Sequence, residues 1–226
     1  TRFHQTSGTL GAPMAWLDTA DDWQWMLGNW EVVLENAGVQ KGDKCFFAFS
    51  FGPFLGFWTA HDAANRRGCL CIPGGGQSSE QRLKIILEQK VEHLFCTPTY
   101  ALRMAEVAKD AHIDLRGNQL HSIIVAGETG GSQYNFREKI AREWNGVKVI
   151  DHYGMTEVGP VAYEIPGGQG GLRIIKDSYF SEVVDAKSGM PVSSGEIGEL
   201  VLTTLGRTGC PVLRYRTGDL VKAETG

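Results

Sequence analysis

The chain has 226 residues, a hydrophobic fraction of 42% and a formal net charge of −4 at pH 7. That length and apolar content allow one large domain or two small ones with a packed core, and they argue against an intrinsically disordered chain. The mildly acidic charge without a basic block disfavours nucleic acid as a partner, and the apolar runs are far shorter than the roughly 20 residues of a membrane span.

The start of the chain and its cysteines indicate a cytoplasmic fragment of a longer protein. The sequence begins Thr1-Arg2-Phe3, without Met and without the charged and apolar leader of a secretory signal. Five cysteines are an odd number without a disulfide framework, and Cys69 and Cys71 fall within a strand-like run. We therefore expect reduced core thiols rather than disulfides or a metal site.

The first predicted element is a helix that begins at a segment resembling a capping box, Thr19 to Asp22. Apolar side chains follow at helical spacing, and Gly38 is a typical stop. These apolar positions are Trp23, Met26, Leu27, Trp30, Val33, Leu34 and Ala37. We interpret them as core positions.

Strands and helices then alternate as far as about residue 151. Runs rich in β-forming residues predict strands over residues 44–49, 69–72, 91–96, 121–126 and 147–150. Helical patterns lie between them, over residues 55–67, after the cap formed by Ser78 and Gln81, and over residues 100–111 and 133–144. This alternation implies βα crossovers, so the predicted fold class is α/β, with a mostly parallel sheet and flanking helices.

Beyond Gly154 the pattern changes. Glycine and proline become frequent and helical periodicity fades. Residues 183–185, a Lys187-Ser188-Gly189 turn and residues 198–205 indicate antiparallel strands. We predict two parts of one large domain, an α/β part over residues 1–154 and a β-rich part over residues 155–226.

The segment from Thr6 to Pro13 combines hydroxyl groups with glycines. Glycines permit the tight curvature at which successive backbone N–H groups converge on an anion, and hydroxyls add donors for phosphate oxygens. No Gly-Lys-Ser/Thr follows, so this is not a Walker A loop. Taken alone, the same composition is more typical of an ordinary turn.

The segment from Asp151 to Glu157 follows the predicted strand over residues 147–150. Loops beyond the carboxyl ends of parallel strands are where α/β proteins bind ligands. This one offers the aromatic face of Tyr153, the hydroxyl of Thr156 and the carboxylate of Glu157, which suit a purine ring, a phosphate and Mg²⁺. By itself, the segment is equally consistent with a polar loop.

Two further strand ends carry comparable groups. Ala126-Gly127-Glu128 ends a strand with small residues that let a planar ligand approach. Asp219, at the end of the run over residues 215–219, has a carboxylate that is able to accept two hydrogen bonds from a ribose diol. Gly-Asp is also a common turn, so both interpretations stay open at this point.

In this order, the four segments resemble the adenylate-forming enzyme superfamily. Within it, residues 49–56 (FSFGPFLG), 96–102 (CTPTYAL) and 198–205 (GELVLTTL) are similar to the phenylacetate–CoA ligase family. The resemblance extends over essentially the whole chain. It implies ATP-dependent activation of a small carboxylic acid to acyl-AMP, followed by transfer of the acyl group to the thiol of CoA.

The resemblance assigns the triphosphate to two segments. The first is a loop that would embrace the β- and γ-phosphates, with residues Thr6, Ser7, Gly8 and Thr9. In the second, Thr156 would hydrogen-bond the α-phosphate and Glu157 would ligate Mg²⁺, so these two are the candidate catalytic residues. His4 and His152 stand beside the two segments and are interpreted as polar neighbours rather than phosphate ligands.

The resemblance also implies a nucleoside site. Tyr153 would stack on adenine, and Gly154 belongs to the same nucleotide-binding set. Gly127 and Glu128 would line the adenine side. Asp219 would bind the ribose hydroxyls.

The acyl pocket would be walled by Phe51, Pro53 and Phe54. An aromatic wall suits an aryl or arylacetic acid. Aromatic residues near glycine are equally ordinary in a protein core, so this assignment depends on the resemblance.

Two positions depart from the family pattern. The phosphate loop usually ends Thr-Gly-Lys-Pro, whereas residues 10–13 read Leu-Gly-Ala-Pro. Ala12 therefore replaces a cation, and a charged phosphate contact is typically worth about 1.5–3 kcal/mol. Some relatives carry Cys and His metal ligands after the Tyr-Gly loop, but Ile165 and Arg173 stand there here, so no structural zinc is expected.

The resemblance further implies that the chain covers about half of a full-length relative. We expect an N-terminal segment and a small C-terminal lid, with its adenylation lysine, outside residues 1–226, so that the fragment alone would be inactive. The acceptor stays open between CoA and a carrier-protein thiol or another nucleophile. A non-catalytic nucleotide-binding relative is a further alternative, and a homodimer is among the open oligomeric states.

Overall fold

A computed structural model describes residues 1–6, 12–167 and 171–223 of the protein. Its α-helices are α1 (Ala20–Asn36), α2 (Leu55–Arg67), α3 (Ser79–Glu88), α4 (Pro98–Asp110) and α5 (Tyr134–Glu143). Its strands are β1 (Arg2–Gln5), β2 (Ala15–Asp18), β3 (Lys44–Phe47), β4 (Leu70–Pro73), β5 (His93–Cys96), β6 (Ser122–Val125), β7 (Lys148–Met155), β8 (Gly159–Glu164), β9 (Leu172–Ile174), β10 (Tyr179–Val184), β11 (Ile197–Thr204) and β12 (Tyr215–Lys222). None of the helices in these described ranges has both the length and the apolar character of a membrane span.

Seven strands form the central sheet, in the order β4-β3-β5-β6-β7-β8-β9. The first five of these pair in parallel, and β8 and β9 extend the sheet in antiparallel orientation. β5 and β6 are buried along their whole length, as expected for a parallel sheet with helices on both faces. The predicted α/β class with a mostly parallel sheet and flanking helices is confirmed.

The two faces of this sheet pack against different helices. Neighbouring residues of a strand point to opposite faces. In β5, Leu94 joins the core formed with α3, α4 and α5, whereas Phe95 joins the core formed with α1 and α2. Ile123 and Ile124 of β6 divide in the same way. The central strands therefore contribute to two separate hydrophobic cores.

Helix α1 forms as its sequence predicts. Thr19 and Asp22 make the reciprocal hydrogen bonds of a capping box. The helix is followed by Gly38 with φ of 80°, a left-handed conformation that favours glycine. All seven apolar positions predicted to lie in the core are buried.

The later part of the chain adds an antiparallel sheet of β10, β11 and β12. Its core joins β8 to the new sheet through Val161, Tyr179 and Leu202. The division predicted between residues 154 and 155 falls inside β7. The division of one large domain into parts over residues 1–154 and 155–226 stays a proposal.

Two segments expected to be loops are strands, so the loop expectation for their residues is wrong. β7 continues through Tyr153 and Gly154, because β8 pairs with it in a hairpin after its pairing with β6 ends. Asp219 lies within β12, which pairs with β11. The sequence also does not predict the β1–β2 hairpin. The strand predicted over residues 183–185 begins four residues earlier, as β10, and the bounds of the other predicted helices and strands differ from the observed ones by no more than two residues.

Candidate functional site

A cleft of about 310 Å³ lies at the carboxyl ends of the parallel strands β3, β5, β6 and β7. Because backbone N–H groups and side chains of several loops meet at this edge, it is the usual ligand site of an α/β sheet. The predicted site residues that line it are Thr6, Phe54, Gly127, Gly154, Thr156 and Glu157. The fold thus brings six residues from four distant segments to one cavity.

Thr6 is the described beginning of the predicted phosphate loop. It follows β1, where its backbone N–H donates to the Met14 carbonyl at 3.0 Å and its hydroxyl accepts from the Met14 N–H at 2.9 Å. These bonds close the β1–β2 hairpin and hold Thr6 at the cleft. Ser7, Gly8 and Thr9 lie outside the described residues.

Thr156 and Glu157 form the turn between β7 and β8, and both are half-buried. The Thr156 carbonyl accepts a hydrogen bond of 2.8 Å from the Arg207 guanidinium. The Glu157 carboxylate lies beside the Tyr215 phenol of β12, and burial together with this carboxylate raises the pKa of Tyr215 above its ordinary value. The turn is therefore held by two residues of the β-rich part of the chain.

A buried ion pair connects this turn to the hairpin that carries Thr6. Arg207 donates to both carboxylate oxygens of Asp18, at 2.7 and 3.0 Å, and neither side chain is exposed. Burial alone would raise the pKa of Asp18, but hydrogen bonding from His4 and Arg207 holds it below the usual range. Sequence reasoning missed Asp18 and Arg207, because two charged residues so far apart in the chain carry no local signal of pairing.

Tyr153 and Asp219 meet although they lie on different sheets. The Tyr153 hydroxyl donates to Asp219 Oδ2 at 2.7 Å. Burial and the neighbouring Asp219 carboxylate raise the pKa of Tyr153, so the phenol keeps its proton at neutral pH. Asp219 is exposed and its second carboxylate oxygen is free to accept from a ligand. Both lie beside the cleft without lining it; Gly154, next to Tyr153, forms its wall.

Gly127 and Glu128 follow β6. Gly127 has φ of 86° and lines the cleft, and this left-handed conformation explains the glycine. Glu128 points to the first turn of α4, where its carboxylate accepts from the Thr99 hydroxyl at 2.6 Å and from the Thr99 backbone N–H at 3.2 Å. Glu128 thus joins the loop after β6 to the amino end of α4.

The aromatic residues after β3 separate into two groups. Phe54 lines the cleft together with Phe49 and Phe57, whose rings stack at 4.1 Å. Phe51 instead packs edge-on against Trp58, with ring centroids 4.9 Å apart, and does not line the cleft. Pro53 is exposed and its carbonyl accepts from the Gln5 N–H at 2.8 Å. Of the three residues assigned to the acyl wall, only Phe54 lines the cleft, and its role in an acyl pocket stays a prediction.

The interior of the cleft contains residues that the sequence assigned to the core or to polar neighbours. Trp30 of α1 donates from Nε1 to the Thr59 hydroxyl at 2.9 Å, and that hydroxyl donates to the Leu55 carbonyl at 3.0 Å. His152 packs against Trp30 with ring centroids 4.3 Å apart. Its Nδ1 is 2.9 Å from the Ala162 carbonyl. The one sequence signal for His152 is its place beside Tyr153 at a strand end.

Two neighbouring side chains on β7 have strongly shifted pKa values. Burial lowers the pKa of His152 to about 4, so the ring is neutral at pH 7. Burial, aided by the nearby Glu164 carboxylate, raises the pKa of Asp151 to about 7. Glu164 itself is held by Arg137 at 2.7 and 2.8 Å. Neither shift was expected from the sequence, because both arise from the depth of β7 in the fold.

The site fits a single divalent cation held together with a ligand's phosphates. Mg²⁺ is commonly bound by one or two carboxylates plus phosphate oxygens, and Glu157 offers one carboxylate at the cleft. Within the described ranges, no group of three or more His, Cys, Asp or Glu side chains forms a complete metal cage. The cation would therefore depend on the nucleotide for further ligands.

Comparisons with known proteins agree with this geometry. A family model described as AMP-binding enzyme matches residues 5–207. The chain is 32% identical to a phenylacetate-coenzyme A ligase of Pseudomonas putida and 33% identical to one of Escherichia coli K12, and both alignments cover the whole chain. It spans about half the length of these curated relatives, 51% and 52%.

Solved structures give the same picture. An open conformation of 2-hydroxyisobutyryl-CoA ligase, in complex with 2-HIB-AMP and CoA, superposes with a TM-score of 0.92 at 27% identity, over 98% of this chain and 52% of that one. A benzoate CoA ligase from Burkholderia xenovorans LB400 superposes with a TM-score of 0.71 at 16% identity, over 94% of this chain and 41% of that one. The second likeness shows the fold alone.

Proposed function

The chain belongs to the AMP-binding enzyme family, and from that membership we propose that the full-length protein is an ATP-dependent acid–CoA ligase. It would activate a small carboxylic acid to acyl-AMP and then transfer the acyl group to CoA. The resemblance found in the sequence and the similarity to phenylacetate-coenzyme A ligases support the same reaction.

The observation that carries this proposal is the combination of polar and apolar side chains in the lining of one cleft. Thr6, Thr156 and Glu157 contribute hydroxyls and a carboxylate. Phe49, Phe54 and other apolar side chains contribute the rest of the lining. A molecule with a charged end and an apolar body, such as an aryl or arylacetic acid next to a nucleotide, has this distribution of polarity.

In the first step, the acid's carboxylate oxygen bonds to the α-phosphorus and the bond to pyrophosphate breaks. The Thr156 hydroxyl would donate to an α-phosphate oxygen, and Glu157 would hold Mg²⁺, which neutralises charge on the polyphosphate when bound. Gly127 would leave room for the adenine ring, and Tyr153 would pack against it. These groups act by fixing the reacting oxygens in line, which removes much of the entropic barrier.

The ribose contact requires Asp219 to serve two partners. Its Oδ2 accepts from the Tyr153 hydroxyl, and its other oxygen would accept from a ribose hydroxyl. The Tyr153–Asp219 bond thereby links the adenine contact to the ribose contact and orients both before the nucleotide arrives.

In the second step, the thiol of CoA attacks the acyl carbonyl, a C–S bond forms and AMP leaves. The structure in complex with 2-HIB-AMP and CoA belongs to a ligase that superposes on nearly the whole of this chain, which supports CoA as the acceptor. A carrier-protein thiol is the alternative outcome of the same test.

The test is ATP–pyrophosphate exchange in the full-length protein with a panel of aryl, arylacetic and short aliphatic acids, followed by mass spectrometry of the thioester formed from CoA. We expect acid-dependent exchange that requires Mg²⁺, and an acyl-CoA product. Exchange that is absent with every acid, despite ATP binding, would identify a non-catalytic relative. Exchange without acyl-CoA would identify a different acceptor.

A further inference from the structure

His152 occupies the interior of the cleft in a fixed orientation. It is only 5% exposed, and it lines the cleft between Trp30 and Gly154. Its Nδ1 bonds to the Ala162 carbonyl at 2.9 Å and its ring packs on Trp30. Ala162 lies on β8 and Trp30 on α1, and both elements are packed in the fold. The His152 ring is therefore unable to turn without losing its hydrogen bond.

The second ring nitrogen, Nε2, lies beside Gly154. A Cβ atom at Gly154 would lie 3.3 Å from Nε2 and 2.8 Å from the Gly159 carbonyl oxygen, so this side of the ring is closely packed. A ligand would reach Nε2 from the cleft, which His152 lines. Within residues 1–6, 12–167 and 171–223, no backbone or side-chain group hydrogen-bonds to Nε2. An unpaired ring nitrogen in a residue that lines a cleft is available to a ligand.

The hydrogen bond at Nδ1 decides what Nε2 is able to bind. A carbonyl oxygen only accepts, so Nδ1 carries the proton. Burial keeps the ring neutral at pH 7, as the lowered pKa of His152 indicates. Nε2 is therefore a hydrogen-bond acceptor, which excludes the carboxylate of an acid as its partner and requires a group with a proton to donate.

The surroundings of Nε2 limit the donor further. Phe95 and Ile124 are apolar neighbours in the cleft wall, and the Thr59 hydroxyl is already used by Trp30 and Leu55. A charged ammonium group would lose its hydration against these apolar walls and gain only the neutral Nε2 in exchange, whereas a neutral hydroxyl needs only one acceptor. The site therefore favours a hydroxyl group over an amine.

We propose that Nε2 of His152 accepts a hydrogen bond from a hydroxyl group on the acyl part of the substrate, so that the cleft selects a hydroxylated acid with an otherwise apolar body. This inference rests on the proposed acid–CoA ligase activity. His152 is then a specificity residue in the lining of the cleft.

The first experiment needs no variant. Kinetics of ATP–pyrophosphate exchange in the full-length protein are measured for matched pairs of acids: phenylacetate against its 2-, 3- and 4-hydroxy forms, and isobutyrate against 2-hydroxyisobutyrate. At least one hydroxylated acid should have a kcat/KM about ten- to hundredfold above that of its parent, the cost of leaving one buried acceptor unpaired. Equal or lower values for every hydroxylated acid would overturn the proposal.

Variants then connect the preference to Nε2. His152→Leu removes the acceptor and should abolish the preference, mainly by raising KM for the hydroxylated acid. His152→Gln retains an amide acceptor and should keep part of it. His121→Gln, at an exposed histidine, is the control and should leave the ratio unchanged. A preference that survives in His152→Leu would overturn the role of Nε2.

The outcomes separate this inference from the proposed function. If the wild type has the same kcat/KM of exchange for parent and hydroxylated acids, the ligase activity is supported and the role of His152 is overturned. No exchange with any acid overturns both. If the thermal midpoint shows that His152→Leu does not fold, the proposal is judged from the wild type and His152→Gln alone. The quantity compared is the ratio of kcat/KM for the hydroxylated acid to that for its parent.

Discussion

His93 at the amino end of β5 and His152 near the carboxyl end of β7 are both buried histidines of the same sheet. In His93, Nδ1 bonds to the Ser122 hydroxyl at 2.8 Å and Nε2 to Asp43 at 3.0 Å. In His152, Nδ1 bonds to the Ala162 carbonyl, and Nε2 has no hydrogen-bond partner among the described residues. A histidine ring that hydrogen-bonds through both nitrogens links neighbouring segments of the fold. A ring with one unpaired nitrogen is still able to bind a ligand.

The same contrast holds between two acidic residues near the cleft. Asp18 is fully enclosed and bidentate with Arg207, so its charge is completely used within the protein. Glu157 lies at the cleft, where its carboxylate has the Tyr215 phenol beside it and, among the described residues, no ion-pair partner. Substitutions of fully paired groups should therefore affect stability, and those of incompletely paired groups should affect binding and catalysis.

The largest effect is expected for the buried ion pair. Arg207→Leu removes the guanidinium that pairs with the buried Asp18 carboxylate and leaves His4 beside it, and we expect the free energy of unfolding to fall by about 3–5 kcal/mol. Urea denaturation measures this change. The double variant Asp18→Leu/Arg207→Leu removes both charges and should recover part of the loss. A single variant as stable as the wild type would contradict the structural role of the pair.

The converse is expected for Glu157. Glu157→Gln should lower ATP–pyrophosphate exchange in the full-length protein by about 10²–10³-fold, because a group that stabilises developing charge contributes mainly in the transition state. Nucleotide binding and the unfolding midpoint should change little. Glu80→Gln, at an exposed helix position, is the matched control. Equal exchange rates at saturating Mg²⁺ would refute the metal role.

A third effect concerns the pH dependence of stability and the opposite shifts of His152 and Asp151. Between about pH 4 and 6.5, His152 is neutral when folded but protonated when unfolded, so acidification destabilises the fold through it. Between about pH 4 and 7, Asp151 is protonated when folded but ionised when unfolded, so acidification stabilises the fold through it. The two contributions oppose each other.

Variants should separate these two contributions. Relative to the wild type, His152→Gln should gain stability on acidification from pH 6.5 to 4.5, and Asp151→Asn should lose it, each with a slope of about 1.4 kcal/mol per pH unit. The measurement is urea denaturation at several pH values. Slopes of the same sign in the two variants would show that one of the pKa directions is wrong.

A smaller change is expected at the fully paired histidine. His93→Leu leaves Asp43 and Ser122 without their shared partner and should cost about 1–3 kcal/mol of unfolding free energy. Unlike a change at His152, it should leave the relative kcat/KM values for hydroxylated and parent acids unchanged. A changed preference between hydroxylated and parent acids in this variant would contradict the proposed difference in function between His93 and His152.

Several features of the candidate site are predictable from the sequence because they depend on short stretches of chain. The capping residues Thr19 and Asp22 and the apolar spacing after them predict α1, since helix periodicity and capping are local properties. The carboxyl ends of β6 and β7 are identifiable in the same way, and they place Gly127 and Thr156 at one edge of the sheet. Family resemblance adds chemical roles to these positions, and those roles stay predictions.

The sequence by itself therefore determined the fold class, the alternation of strands and helices and the edge at which the cleft forms. Only the tertiary structure decided which side chains enter that cleft and which are enclosed. Phe54 lines it and Phe51 does not, because Phe51 adopts a left-handed backbone conformation with φ of 47° and packs on Trp58. Arg207 meets Asp18 across 189 positions of the chain. Such contacts depend on how separate elements pack, and residue spacing along the chain contains no record of that packing.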